Sequence, residues 1–163
     1  MAKVVAIIGD PREKGTSRDL LQKYLAFFQE HPTIEVKIYD IRELAFDPNL
    51  PEGYRTEQTP EIIALKNDVH SADLLLFSYP VWWFNVPAVL KGVIDHLFWR
   101  GESYSFKDKK YFLTGPWRKK TSAVDLYDWR NGNTASSFRS SSTYCLTLSF
   151  MDERRVFSEG HFD

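Results

Sequence analysis

Lys3-Val4-Val5-Ala6-Ile7-Ile8-Gly9 is a continuous apolar run, rich in β-branched residues and closed by glycine. Such a run suits a strand buried on both faces, as in a parallel sheet, better than one with a solvated side. Gly9-Asp10-Pro11-Arg12-Glu13-Lys14-Gly15 follows as a turn-rich loop. Thr16 and Ser17 then stand where helix N-caps stand, ahead of Leu20, Leu21, Tyr24, Leu25, Phe27 and Phe28 at helical spacing. Thr16 with Asp19 resembles a capping box, and Pro32 ends the helix.

The same unit repeats downstream. Residues 34–40 alternate apolar and polar and read as a second strand. A long loop through Phe46, Pro48, Pro51 and Gly53 leads to Thr59-Pro60-Glu61, a helix start with proline where it is tolerated. Residues 73–79 form a third strand, apolar nearly throughout, and Pro87 opens a helix whose Val89, Leu90, Val93, Ile94, Leu97 and Phe98 keep the helical period. Strands alternating with helices predict a doubly wound α/β sheet with parallel strands, right-handed crossovers and helices on both faces. Residues 121–127 and 143–150 read as fourth and fifth strands, residues 131–142 as loop, and the chain 1–163 as one domain.

Composition narrows the function. Lys+Arg 21 against Asp+Glu 22 leave a formal charge of −1, so no global field favours nucleic acid or an anionic membrane. No apolar stretch reaches the roughly 20 residues of a spanning helix, and Met1-Ala2-Lys3 leads straight into a strand rather than a signal peptide, so a cytoplasmic protein is expected. Cys145, alone, makes no internal disulfide or zinc framework, and His31, His70, His96 and His161 are too scattered for a local metal motif.

In open α/β sheets ligands bind beyond the carboxyl ends of the strands, which singles out the loops after the first and third. The first leads into a helix N-terminus, where free amides and the helix dipole suit a phosphate, with Ser17 adding a hydroxyl and Arg12 or Arg18 a charge. It lacks the Gly-Lys-Ser/Thr ending of a Walker loop and is not Gly-x-Gly-x-x-Gly. Local evidence alone leaves phosphate binding and simple helix capping both open. The second loop, Tyr79-Pro80-Val81-Trp82-Trp83-Phe84, is the densest aromatic cluster of a chain that is 15% aromatic. Its rings either hold a planar aromatic ligand or fill the core beneath the next helix.

The run from Tyr79 to Phe98, with its Pro, Trp-Phe, Pro-Ala and Leu-Lys-Gly elements, resembles the flavin loop and helix of the flavodoxin-like NAD(P)H:quinone oxidoreductases. The loop from Gly9 to Asp19, Gly101-Glu102-Ser103-Tyr104-Ser105-Phe106 and Gly115-Pro116-Trp117-Arg118-Lys119-Lys120 resemble that family too. The resemblance implies a five-stranded parallel sheet holding FMN, with FAD as the other possibility. Ser17, Arg18 and Asp19 would take the phosphate end, and Pro80, Val81, Trp82, Trp83 and Phe84 the ring. Tyr104 and Phe106 would cover the flavin of a partner in a homodimer and meet the substrate. NAD(P)H would deliver hydride and leave, and a quinone-like electrophile would then be reduced by two electrons in a ping-pong sequence. The cofactor carries that chemistry, so no catalytic side chain and no metal is expected.

Departures from the family begin after residue 126. Leu126-Tyr127-Asp128-Trp129-Arg130-Asn131-Gly132-Asn133 stands in place of a Thr-Thr-Gly-Gly-like turn, and Asp128 puts negative charge near a ring that becomes anionic on reduction. The segment carrying the family's active-site Tyr and His has no counterpart, and no clear amphipathic helix follows residues 147–151. The alternative reading is therefore a flavodoxin-fold regulatory or binding subunit with weak or no reductase activity. His96 reads as a packing residue, Cys145 as core, and Glu153-Arg154-Arg155 as surface. The basic residues Lys107, Lys109, Lys110, Arg118, Lys119 and Lys120 read as a solvated face or as an attractor for the extra phosphate of NADPH.

Overall fold

A computed structural model of the chain describes residues 2–83, 85–107, 110–113, 120–128, 133–135 and 145–152. The elements are β1 (Ala2–Ile8), α1 (Thr16–Gln29), β2 (Ile34–Asp40), α2 (Pro60–Ser71), β3 (Leu74–Pro80) and α3 (Ala88–Leu97). They are followed by β4 (Tyr104–Lys107), β5 (Lys110–Leu113), β6 (Lys120–Asp128), β7 (Asn133–Ala135) and β8 (Cys145–Asp152).

β1 pairs in parallel with β2 on one side, Val4 opposite Val36, and with β3 on the other, Val5 opposite Leu75. The pleat divides its side chains between two cores. Val4, Ala6 and Ile8 join Leu74 and Leu76 beneath Leu21 and Leu25 of α1. Val5 and Ile7 join Leu75 and Phe77 beneath Leu65 and Val69 of α2 and Leu90, Val93 and Leu97 of α3. Helices thus cover both faces of the parallel part, which is why β1 and β3 are apolar without alternation.

The helix starts differ from one another. At α2 the Thr59 side chain accepts from the Ile62 amide, with Pro60 in the first turn. At α1 the N-cap is Gly15 with no side-chain cap, and Thr16 and Ser17 lie inside the first turn. The expected capping role of Thr16 and Ser17 is not found, because the Ser17 hydroxyl is turned to Asp10 instead.

Beyond β3 the expected five parallel strands give way to a mixed sheet in the order β2-β1-β3-β8-β6-β7. β6 and β8 coincide with the two further strands read from the sequence, but β8 runs antiparallel to both its neighbours, Leu76 facing Ser149 and Val124 facing Leu148. β6 keeps the direction of β3 one place further out. Parallel neighbours need a long crossover, usually helical, and the described residues after α3 contain no helix to make one. β7 falls inside the stretch read as loop and pairs antiparallel with β6; residues 131–132 and 136–142 of that stretch lie outside the described residues.

Candidate functional site

The carboxyl ends of β1 and β3 are fastened together. The Gly9 amide donates to the Ser78 carbonyl at 2.8 Å, and Ser78 Oγ donates to the Ser17 carbonyl at 2.7 Å. A Cβ on Gly9 would lie 2.4 Å from Leu90 Cδ2 and 3.0 Å from Tyr79 Cβ, so glycine is what lets β1 leave the sheet under α3. The two loops singled out from the sequence are therefore neighbours.

In the first loop, Asp10 is wholly buried and gathers its donors locally. Arg12 reaches it with its amide and Nε on Oδ1, both at 3.0 Å, and with Nη2 on Oδ2 at 2.9 Å; Ser17 Oγ donates to Oδ2 at 2.6 Å. Burial pushes the Asp10 carboxyl up, but the bonds from Arg12 and Ser17 outweigh it and hold the group below the usual carboxylate range. The Arg18 and Asp19 amides donate to the Gly15 carbonyl, whereas the Thr16 and Ser17 amides find no acceptor among the described residues. Arg18 Nη1 pairs with Asp40 at 2.6 Å, and its Nε is buried without a hydrogen-bond partner among the described residues. Arg42 joins the same carboxylate at 3.0 Å. Asp19 is exposed in the first turn of α1.

In the second loop, Pro80 is buried at the end of β3 and Val81 packs on the core beside α3. Trp82 and Asn85 exchange backbone hydrogen bonds, at 2.9 and 3.0 Å, across a tight turn. Trp83 at its tip has φ 49°, the left-handed region that bulky residues avoid, and is 95% exposed; Trp82 is 43% exposed. Neither indole fills the core. Phe84 lies outside the described residues.

Tyr104 is not brought to these loops within one chain. α3 carries the backbone away from the Trp82 turn over 10 residues, about 15 Å of helix. There the Tyr104 and Tyr54 hydroxyls share a 2.9 Å hydrogen bond, and Tyr54 lies against Trp99. Lys66, almost buried, sits 4.3 Å from the centre of the Trp99 ring and pairs with Glu102 at 2.5 Å, fixing the turn that presents Tyr104. Phe106 lies in β4, paired with Tyr111. His96 is a packing residue: its Nε2 donates to the Asp47 carbonyl at 2.9 Å and its ring meets Phe46 edge-on.

Reading the sequence missed Asp10, Asp40, Tyr54 and Lys66. A signal for the first two is visible afterwards. Asp10-Pro11-Arg12 and Asp40-Ile41-Arg42 are the same pattern, an aspartate at a strand's carboxyl end accepting the amide and guanidinium two residues on. Lys109, Arg118, Lys119 and Glu153-Arg154-Arg155 lie outside the described residues. Among the described residues no three His, Cys, Asp or Glu side chains gather as metal ligands, and no helix is long and apolar enough to cross a membrane.

An apolar double-indole turn beside a helix N-terminus with two free amides offers one surface to a planar aromatic group and another to an anion. Known proteins share this framework. NAD(P)H dehydrogenase (quinone) 1 of Cavia porcellus is 27% identical over 114 residues, which cover 56% of this chain and 41% of that protein. FMN-dependent NADH:quinone oxidoreductase 2 of Pseudomonas syringae pv. tomato is 33% identical over 120 residues, 63% of this chain and 57% of that one. The chain thus spans about two-fifths of the mammalian relative's length. In fold it is similar to an NAD(P)H:quinone oxidoreductase from Methanothermobacter marburgensis, with a TM-score of 0.59 at 22% identity over 71% of this chain and 61% of that one. A family model described as flavodoxin-like fold matches residues 2–124, and the chain belongs to that family.

Proposed function

We propose that the chain binds FMN and acts as an NAD(P)H oxidoreductase on quinones or similar electrophiles, with FAD as the less suited flavin. The observation that carries this reading is the pairing of an uncapped helix start, Gly15-Thr16-Ser17, with outward-facing Trp82 and Trp83, locked side by side through Gly9, Ser17 and Ser78. The residues fit a flavin phosphate. The Thr16 and Ser17 amides find no acceptor among the described residues, and the orphaned Arg18 Nε is a buried donor in the same turn. The names of the mammalian and bacterial relatives, which specify quinone and, in one case, FMN, support the same chemistry.

FMN, when bound, supplies the exchange of two electrons between NAD(P)H and the acceptor. The chain's residues position and shield. Amides of Thr16 and Ser17, with Arg18 and Asp19 in the same turn, receive the phosphate end. Pro80 and Val81, fixed to the core, give a rigid floor from which Trp82 and Trp83 present apolar faces to the ring. Tyr104 and Phe106, about a helix length away, serve the site of a second copy, so the working form is a homodimer. NAD(P)H and the quinone-like acceptor use the same space in turn, in a ping-pong order, in the cytoplasm.

A second reading, a binding subunit with little turnover, is favoured by one observation: β8 stands between β3 and β6, which moves residues 126–128 one strand away from the Trp82 turn. One experiment separates them. The absorption spectrum of the purified protein, with mass spectrometry of whatever denaturation releases, is expected to show FMN that bleaches with NADPH and recovers with a quinone. Bound flavin without bleaching selects the second reading, and colourless protein that refuses added FMN overturns both.

A further inference from the structure

Asp10 occupies the place where a phosphate is expected. Its Oδ2 takes the only proton of the Ser17 hydroxyl, so Ser17 cannot donate to a ligand while that bond stands. Arg12 is engaged with the same carboxylate through its amide, Nε and Nη2. The N-cap of α1 is an extended glycine, and the space its side chain would fill is held by Asp10 Oδ2, 2.2 Å from that point. A carboxylate there is stabilised by the helix dipole as a ligand anion would be.

We propose that the Asp10 carboxylate is a resident anion of this loop, which a ligand phosphate must out-compete for Ser17 and Arg12, and that Asp10 thereby sets how strongly the chain prefers phosphorylated over unphosphorylated flavin. The inference rests on the flavin reading above and adds to it a specificity residue. A phosphate monoester brings between one and two further negative charges beside a carboxylate that is itself wholly buried. Removing the resident charge weakens the acceptor that holds the Ser17 proton and leaves Arg12 uncompensated. Both changes favour phosphate and neither touches the Trp82–Asn85 turn.

The test compares FMN with riboflavin by fluorescence quenching in the full chain and in Asp10→Asn and Asp10→Ser, each checked for native circular dichroism. Asp10→Asn is expected to tighten FMN by about tenfold or more while riboflavin stays within about twofold. Asp10→Ser, which keeps a small polar group without the charge, is expected to do the same, and it carries the test alone should the asparagine variant misfold. Variants that weaken FMN, or that move both ligands equally, overturn the inference and leave the flavin reading standing. Wild type that binds neither flavin overturns the flavin reading; competition is then read by calorimetry with inorganic pyrophosphate, which must still bind Asp10→Asn about tenfold more tightly.

Discussion

Ser78 Oγ donates to the carbonyl of Ser17 at 2.7 Å, and both residues are buried. One hydroxyl therefore joins the end of β3 to the first turn of α1. Ser78→Ala removes it while adding no bulk, and urea unfolding is expected to show a loss of about 1 kcal/mol. FMN affinity is expected to fall as well, since the bond holds the two loops in register. Unchanged stability and unchanged binding would show that the junction rests on packing alone.

Trp83 is held at φ 49° on the tip of its turn, a conformation that costs a bulky residue about 1–2 kcal/mol. Its ring makes no compensating burial, being 95% exposed. Trp83→Gly is expected to raise the unfolding free energy by about 0.5–1 kcal/mol and to weaken FMN by about tenfold or more. The two readouts are needed together. A more stable variant that binds FMN as well as wild type would mean that the strained indole serves no ligand.

The legible part of this chain is the part whose sequence pattern has a single physical cause. Val4-Val5-Ala6-Ile7-Ile8 can be apolar throughout only if both faces are covered, and α1 on one side with α2 and α3 on the other cover them. The aromatic run was ambiguous for the opposite reason: exposed and buried tryptophans look alike in sequence, and only the turn at Trp82–Asn85 sends the rings outward. Residues 121–127 and 143–150 announced strands, but strand direction depends on what the connection does, and nothing in Thr147-Leu148-Ser149 says which way it runs. Ser17 stands where a cap is expected, because Ser at a helix start usually is one. Its actual partner, Asp10, is seven residues back, and finding it requires the loop's path.

Gly92 and Gly9 distinguish a backbone clash from a side-chain one. A Cβ on Gly92 would lie 2.7 Å from both the carbonyl oxygen and the Cα of Pro48, where the long loop crosses α3. On Gly9 the worst contact is the end of a leucine side chain, Leu90 Cδ2 at 2.4 Å. A leucine tip can change rotamer, whereas the Pro48 backbone moves only with its loop. Gly92→Ala is therefore expected to cost about 2–3 kcal/mol and Gly9→Ala about 1–2 kcal/mol. Thermal unfolding of both variants gives the order directly, and a reversed order would mean that the loop at Pro48 yields easily.

Acid should loosen the carboxyl end of β2 first. Burial pushes the Asp40 carboxyl up, but hydrogen bonds from Arg18 and then Arg42 bring it down to about 2. The folded group binds its proton less readily than the unfolded one, so its stabilisation is complete above about pH 5 and is lost as pH falls toward 2. With the Asp40 side chain only 7% exposed, the lost stabilisation is about 2 kcal/mol. Asp68, also held at about 2 by Lys3, Tyr39 and Lys37 against its burial, adds less because Lys37 is 41% exposed. Asp40→Asn should therefore be less stable than wild type at pH 7, and the difference should shrink steadily as pH falls from about 5 to 2. Urea midpoints of both proteins measured between pH 7 and 2 check this, and a gap that stays constant across the range would show that Asp40 is not stabilised by its charge.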